Sequence, residues 1–176
     1  MSTTTSLRTL NPLTVPLVLL IAVLAVVISP AQEPAPAHAQ KANQDALRTL
    51  MDVYATALKE ADDKLASQVW CGLAEDSITN PAGRWQGPEQ IKAFYGLLRD
   101  KYLERKLSFD DISFHVYGDS AWTEFTGDFA AKQRKDGTPV FFHAVETQIY
   151  RRSHDKWCLV HVQYSTFAPQ AVGATK

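Results

Sequence analysis

The chain has 176 residues, 45% hydrophobic and 21% charged, with a formal net charge of -1, which fits one globular domain. That balance argues against a nucleic-acid partner, which needs a basic stripe. The sequence also lacks a Gly-rich phosphate loop, His/Cys metal-ligand spacing and a GxSxG elbow, so neither metal nor cofactor is expected.

Arg8 is the only charge ahead of an apolar run from Leu13 to Ile28, and a Pro/Ala/Gln stretch follows from Pro30 to Gln40. This is the pattern of a secretory signal. Ser29-Pro30-Ala31 and Ala37-His38-Ala39 both offer small-x-small cleavage sites. An uncleaved anchor is the rival reading, but a span takes about 20 apolar residues, and this run is shorter and holds Pro16. Residues 1–31 are therefore assigned to a signal peptide or N-terminal anchor. Residues 32–40 are a Pro/Ala-rich linker, 41–168 the folded domain and 169–176 a disordered tail. In both readings the folded part lies outside the cytoplasm, periplasmic or secreted, and meets a membrane only through its N-terminal segment. An oxidising compartment would permit a disulfide between Cys71 and Cys158. The plainer reading, two small buried apolar residues, is preferred.

Leu47, Leu50, Tyr54 and Leu58 form one stripe on a helix over Lys41 to Glu60. Asp62 or Asp63 caps a second, short helix with Leu65, Val69 and Trp70 on its buried side. Ala74 to Thr79 is a short strand, and Asn80-Pro81-Ala82-Gly83 a turn. Gly87-Pro88-Glu89 opens a third helix, because Pro fits the first turn and Glu suits the positive end. Its stripe is Ile91, Phe94, Tyr95 and Leu98.

From Leu107 to Phe167 the chain reads as long strands, broken at Gly118-Asp119, Asp136-Gly137 and His154-Asp155. Residues of these types enter tight turns readily. Trp122, Glu124, Thr126 and Asp128 alternate with Ala121, Phe125 and Phe129. Glu146, Gln148 and Tyr150 alternate with His143, Val145, Thr147 and Ile149, and Val162 and Tyr164 alternate with His161 and Gln163. No face is cleanly polar, as a face in water should be. Helices are expected on one face and a second copy of the chain on the other. The fold class is α+β: three N-terminal helices on a strongly curved, mostly antiparallel sheet, forming a cone with an internal pocket.

Between Gly118 and Ser165 the spacing of Gly118-Asp119, Ala121, Gly137, Pro139, Glu146-Thr147, Arg152, Lys156-Trp157, Val160-His161 and Ser165 resembles the nuclear transport factor 2-like superfamily. This superfamily is also called SnoaL-like or ketosteroid-isomerase-like. The strand half is most similar to the association domain of calcium/calmodulin-dependent kinase II. The helical half, with Leu50-Met51, Tyr54, Asn80-Pro81, Gly87 and Ala93-Phe94-Tyr95, looks like the isomerases. The resemblance covers Ala42 to Phe167, and it speaks for fold more than for function. It implies that Tyr54 matches the isomerases' phenol donor and Glu146 their oxyanion-side acid. Their carboxylate base is replaced by Asn80, which cannot accept a proton at neutral pH. The association domain's three pocket arginines are replaced by Asp128, Gln148 and Tyr164, and its pocket histidine is matched by His115.

Glu146, Tyr54 and His115 are thus the candidate catalytic residues. Asn80, Trp85, Trp122, Glu124, Asp128, Gln148 and Tyr164 are the candidate ligand-binding residues, with Trp122, Glu124 and Asp128 expected on the same pocket face as Glu146, Gln148 and Tyr164. Each also has a structural reading: a bonded carboxylate, a core phenol, an edge histidine. The leading expectation is an exported homo-oligomeric domain that binds a small polar or weakly cationic molecule or serves assembly. The alternative is a cofactor-independent isomerase, cyclase or dehydratase.

Overall fold

A computed structural model describes residues 37–166. The expected signal or anchor, most of the linker and the expected tail lie outside the described residues. Helix α1 spans Ala37–Glu60. It begins ahead of the expected Lys41 and takes in the end of the linker. Its stripe is buried as expected at Leu47, Tyr54 and Leu58, with Met51 added. The Asp62 carboxylate accepts the N–H groups of Lys64 and Leu65 at 2.9 and 3.0 Å, which caps α2, Asp63–Ala66. Helix α3, Gly87–Lys101, carries Pro88 in its first turn and buries Ile91, Phe94 and Tyr95.

Six strands follow or interleave: β1 Ser77–Asn80, β2 Gly83–Gln86, β3 Tyr102–Tyr117, β4 Ser120–Gln133, β5 Pro139–Ser153 and β6 Lys156–Thr166. They form one sheet in the order β2-β1-β6-β5-β4-β3. Every pairing is antiparallel except that of β1 with β6. The long hairpins turn where expected, with Gly118 and Gly137 at φ 60 and 74 and His154-Asp155 at φ 51 and 61. Strand β3 starts at Tyr102, earlier than Leu107, because the Tyr102 ring packs on Phe129 at 5.5 Å. Register shifts interrupt β3 between Leu103 and Lys106 and between Asp110 and Ser113. A further shift lies between Ile149 and Tyr150. Such bulges bend a strand and increase its twist, and here the helices pack against a curved sheet.

Two expectations are corrected. First, Cys71 and Cys158 are joined in a disulfide, with Cα atoms 5.0 Å apart. Leu159 N–H donates to Val69 O and Cys71 N–H donates to Leu159 O, so a bridge between Trp70 and Leu159 brings the two cysteines together. Second, Glu146 lies opposite Phe125 and Gln148 opposite Thr123. The Glu146 face therefore continues through Phe125, Thr123 and Ala121, whereas Trp122, Glu124 and Asp128 share a face with Ile149, Thr147 and His143. A slip of one residue in register moves a whole strand's side chains to the other face. The β4–β5 connection sets that register by pairing Lys132 with Pro139.

Candidate active site

Phe125, Glu146, Gln148, Val162 and Tyr164 stand on the concave face through the β4–β5–β6 register. Tyr54 of α1 and Phe94 of α3 join the same core. Between sheet and helices lies a cavity of about 250 Å³ whose walls include Leu58, Phe94, Leu98, Leu107, Phe109, Phe129 and Phe142. Its polar wall residues include Glu146, Tyr164 and Asn80.

Glu146 is 2% exposed. Gln148 Nε2 donates to Glu146 Oε1 at 2.6 Å, and the Tyr150 hydroxyl donates to Gln148 Oε1. This chain orients the carboxyl from behind, since Gln148 is fully buried and is not part of the cavity wall. The hydroxyls of Tyr54 and Tyr164 share a hydrogen bond beside it. Burial pushes the Glu146 carboxyl up to about 8, against the opposing hydrogen bonds of Gln148 and Tyr54. Burial first, and then the Glu146 charge, raises the Tyr54 and Tyr164 phenols well above their ordinary value. At neutral pH this end of the cavity thus offers a protonated carboxyl and the neutral phenol of Tyr164, with the Tyr54 phenol bonded behind it.

The structure gathers Glu146, Tyr54, Gln148 and Tyr164, and separates them from other candidates. His115 pairs with Trp122 across β3 and β4 and stacks on it at 3.9 Å with planes 11° apart. Both belong to the opposite face. Glu124 is exposed there. Asp128 borders the cavity along its strand, but its carboxylate bonds His143 Nδ1 at 2.6 Å. Trp85 on β2 packs against Phe94 at 5.0 Å and supports the wall without forming it. Asn80 reaches the cavity, while its Oδ1 accepts the Ala82 N–H at 2.8 Å. Sequence reasoning missed the aromatic wall of Phe109, Phe129 and Phe142. The usable signal was the cross-strand pairing of Phe129 with Phe142, which requires the register. Tyr95 was placed in the core stripe, and its phenol also lies within electrostatic reach of Glu146.

Helices packed against a curved, mostly antiparallel six-stranded sheet are the architecture of the nuclear transport factor 2-like class of fold. A family profile for the SnoaL-like domain matches residues 47–169, and the chain belongs to this family. Among solved structures, a nuclear transport factor 2-like superfamily protein from Salmonella enterica serovar Typhimurium is 28% identical. It superposes with a TM-score of 0.69 over 80% of this chain and 100% of that one. A hexachlorocyclohexane dehydrochlorinase of type 2 is 16% identical, with a TM-score of 0.66 over 76% of this chain and 97% of that one. A protein from Streptomyces avermitilis, proposed to be a dehydratase of the nuclear transport factor 2-like family, is 18% identical. Its TM-score is 0.65 over 73% of this chain and 99% of that one. No curated protein sequence gives a significant match.

Proposed function

We propose that this is an exported, homodimeric domain that binds a small, largely apolar and neutral organic molecule through one oxygen acceptor. The observation that carries the reading is the donor end of a largely apolar cavity, Glu146 beside Tyr164, whose hydroxyl is bonded to that of Tyr54. A protonated carboxyl next to a phenol in a dry site can donate to a carbonyl or phenolic oxygen. At about 30 Å³ per water, the cavity of about 250 Å³ has room for about eight waters, or one substituted ring. The weakly cationic ligand expected from sequence rested on Glu124, Asp128 and Glu146 sharing a face. With only Glu146 left on the concave face, and protonated at neutral pH, that motive falls away. Export is supported by the N-terminal pattern and by the disulfide, which persists in oxidising compartments.

The test is calorimetric titration with acetophenone, benzoate and benzylammonium, which are matched in size. Acetophenone should bind best, and its affinity should fall as pH rises through about 8, where Glu146 loses its proton. Glu146→Ala should weaken it about tenfold. Tighter binding of benzylammonium would restore the cationic reading and overturn this one.

A second reading is favoured by the same carboxyl. A group that titrates near neutral pH can both give and take a proton, and the fold neighbours include a protein named as a dehydrochlorinase. The electrophilic half of such a site is present, and Asn80 stands where the isomerases' base is expected. Glu146 itself, as carboxylate, would then take the proton from a carbon beside the bound carbonyl. The Tyr164 hydroxyl would donate to the developing oxyanion. Exchange of the acetophenone methyl protons in D₂O, followed by NMR, should be accelerated by the protein and lost in Glu146→Gln. No acceleration would leave binding alone.

A further inference from the structure

A second cavity, of about 310 Å³, opens between α2 and α3 and shares no lining residue with the first. Trp70, Asp76 and Tyr95 line it and are 8%, 0% and 0% exposed. Among the described residues four buried side-chain polar atoms lack a hydrogen-bond partner. Three of them belong to this cavity: Trp70 Nε1, Asp76 Oδ1 and Tyr95 Oη; Trp70 and Tyr95 sit close enough to interact with each other, which leaves Asp76 Oδ1 as the atom most in need of a partner. Buried polar groups are nearly always satisfied, so their concentration around one cavity points to a guest.

The three atoms specify its chemistry. Trp70 Nε1 can only donate, an Asp76 carboxylate oxygen can only accept, and the Tyr95 hydroxyl can do either. The other Asp76 oxygen accepts the Leu73 N–H at 2.9 Å, which holds the carboxyl in place. Lys64 and Lys92 line the same cavity, but among the described residues neither they nor any other lysine or arginine forms an ion pair with Asp76. A buried carboxylate without a cation is costly. Asp63, at the same cavity, is already engaged by Arg99 at 3.4 Å. The Trp70 backbone is tied to Leu159 by a bridge, and Cys71 beside it to Cys158 by the disulfide. The cavity is therefore preformed rather than assembled by the guest.

We propose that the α2–α3 cleft binds a small organic ammonium ion bearing a nearby carbonyl or hydroxyl oxygen. The ammonium donates to Asp76 Oδ1, the oxygen accepts from Trp70 Nε1, and Tyr95 Oη bonds either end.

The Trp indole N–H signals of ¹⁵N-labelled protein offer a direct readout, with that of Trp70 assigned by its loss in Trp70→Phe. Glycinamide is still mainly an ammonium ion in neutral buffer, where the carboxyl of Asp76, raised by burial, is more fully ionised than in acid. Under those conditions glycinamide should shift the Trp70 signal saturably. Acetamide, which has the carbonyl without the ammonium, should bind at least about tenfold more weakly. Asp76→Asn should weaken glycinamide by about tenfold or more. Tyr95→Phe keeps the Asp76–Leu73 bond, so it serves if Asp76→Asn fails to fold, and it should weaken binding several-fold. Equal or non-saturating responses to glycinamide and acetamide would overturn the proposal and leave a cleft filled by water alone. So would a glycinamide affinity untouched in the folded variants.

Discussion

Glu146 couples the cavity to pH through a sign that can be worked out. Its carboxyl is raised from 4.5 to about 8 by burial, so the folded state holds a proton that the unfolded chain releases. The stabilisation is complete below about 4.5 and is lost as pH climbs through about 8. That gap corresponds to about 5 kcal/mol at most, a large share of an ordinary domain's stability. Urea denaturation at mildly acidic and mildly alkaline pH should show the decline in the natural protein. Glu146→Gln cannot ionise, and the same comparison should be nearly flat. An unchanged decline in the variant would assign it to another group. Asp76, whose carboxyl is also raised by burial, would give a decline in the same direction as Glu146, whereas His161 opposes both. Its pKa is lowered by burial first and then by Arg84, against the pull of Ser77. Its protonation costs stability as pH falls, the reverse direction, so its contribution separates from theirs by sign.

At the scale of elements, the disulfide joins the segment after α2 to β6 across 87 residues of sequence. Closing a loop of that length in the unfolded chain is worth up to about 4–5 kcal/mol by chain entropy, of which disulfides typically deliver about 2–4 kcal/mol. Reduction, or a Cys71→Ser/Cys158→Ser pair, should lower stability by that amount in denaturant melts. The loosened region should be the Trp70–Leu159 bridge and the α2–α3 cleft, with the β3–β4–β5 hairpins unaffected in amide exchange. A loss spread evenly over the sheet would show that the bond is not a local staple. The α1 and α3 stripes and the Asp62 cap were legible because helical periodicity and capping are local properties of sequence. Strand β2 was not, because Gly83–Gln86 carries no alternation and is recruited by pairing with β1.

At the scale of the molecule, the sheet face away from the helices is the proposed dimer seam. It carries Trp122, Val145, Thr147, Ile149, His161 and Gln163 in register, and Ile149 is 40% exposed. Such a mixture of aromatic, aliphatic and polar groups is typical of interfaces. Ile149→Glu would bury a charge in the seam and should turn a dimer into a monomer by light scattering, with the fold kept. A stable monomer of the natural protein would end the proposal. The same face holds His115, stacked on Trp122, so a histidine expected in the pocket belongs to the surface that a second copy would cover.

While the resemblance to a known family implied the fold class and the roles of Tyr54 and Glu146, the sequence by itself determined the helix stripes and the three hairpin turns, since each follows from period or turn chemistry carried by neighbouring residues. It could mark which residues alternate along β4 and β5, but not which of the two sets faces in. That choice belongs to the register of the β4–β5 pair, where Phe125 rather than Glu124 comes opposite Glu146. Tertiary structure alone moved Trp122, Glu124 and Asp128 outward, closed the Cys71–Cys158 bond and left one carboxylate oxygen of Asp76 without a hydrogen-bond partner in a cleft. Each of these outcomes depends on atoms distant in sequence meeting at a few ångströms. Periodicity within one segment carries no information about such meetings, because pairing energy is shared between two strands and a single residue of slip reverses it.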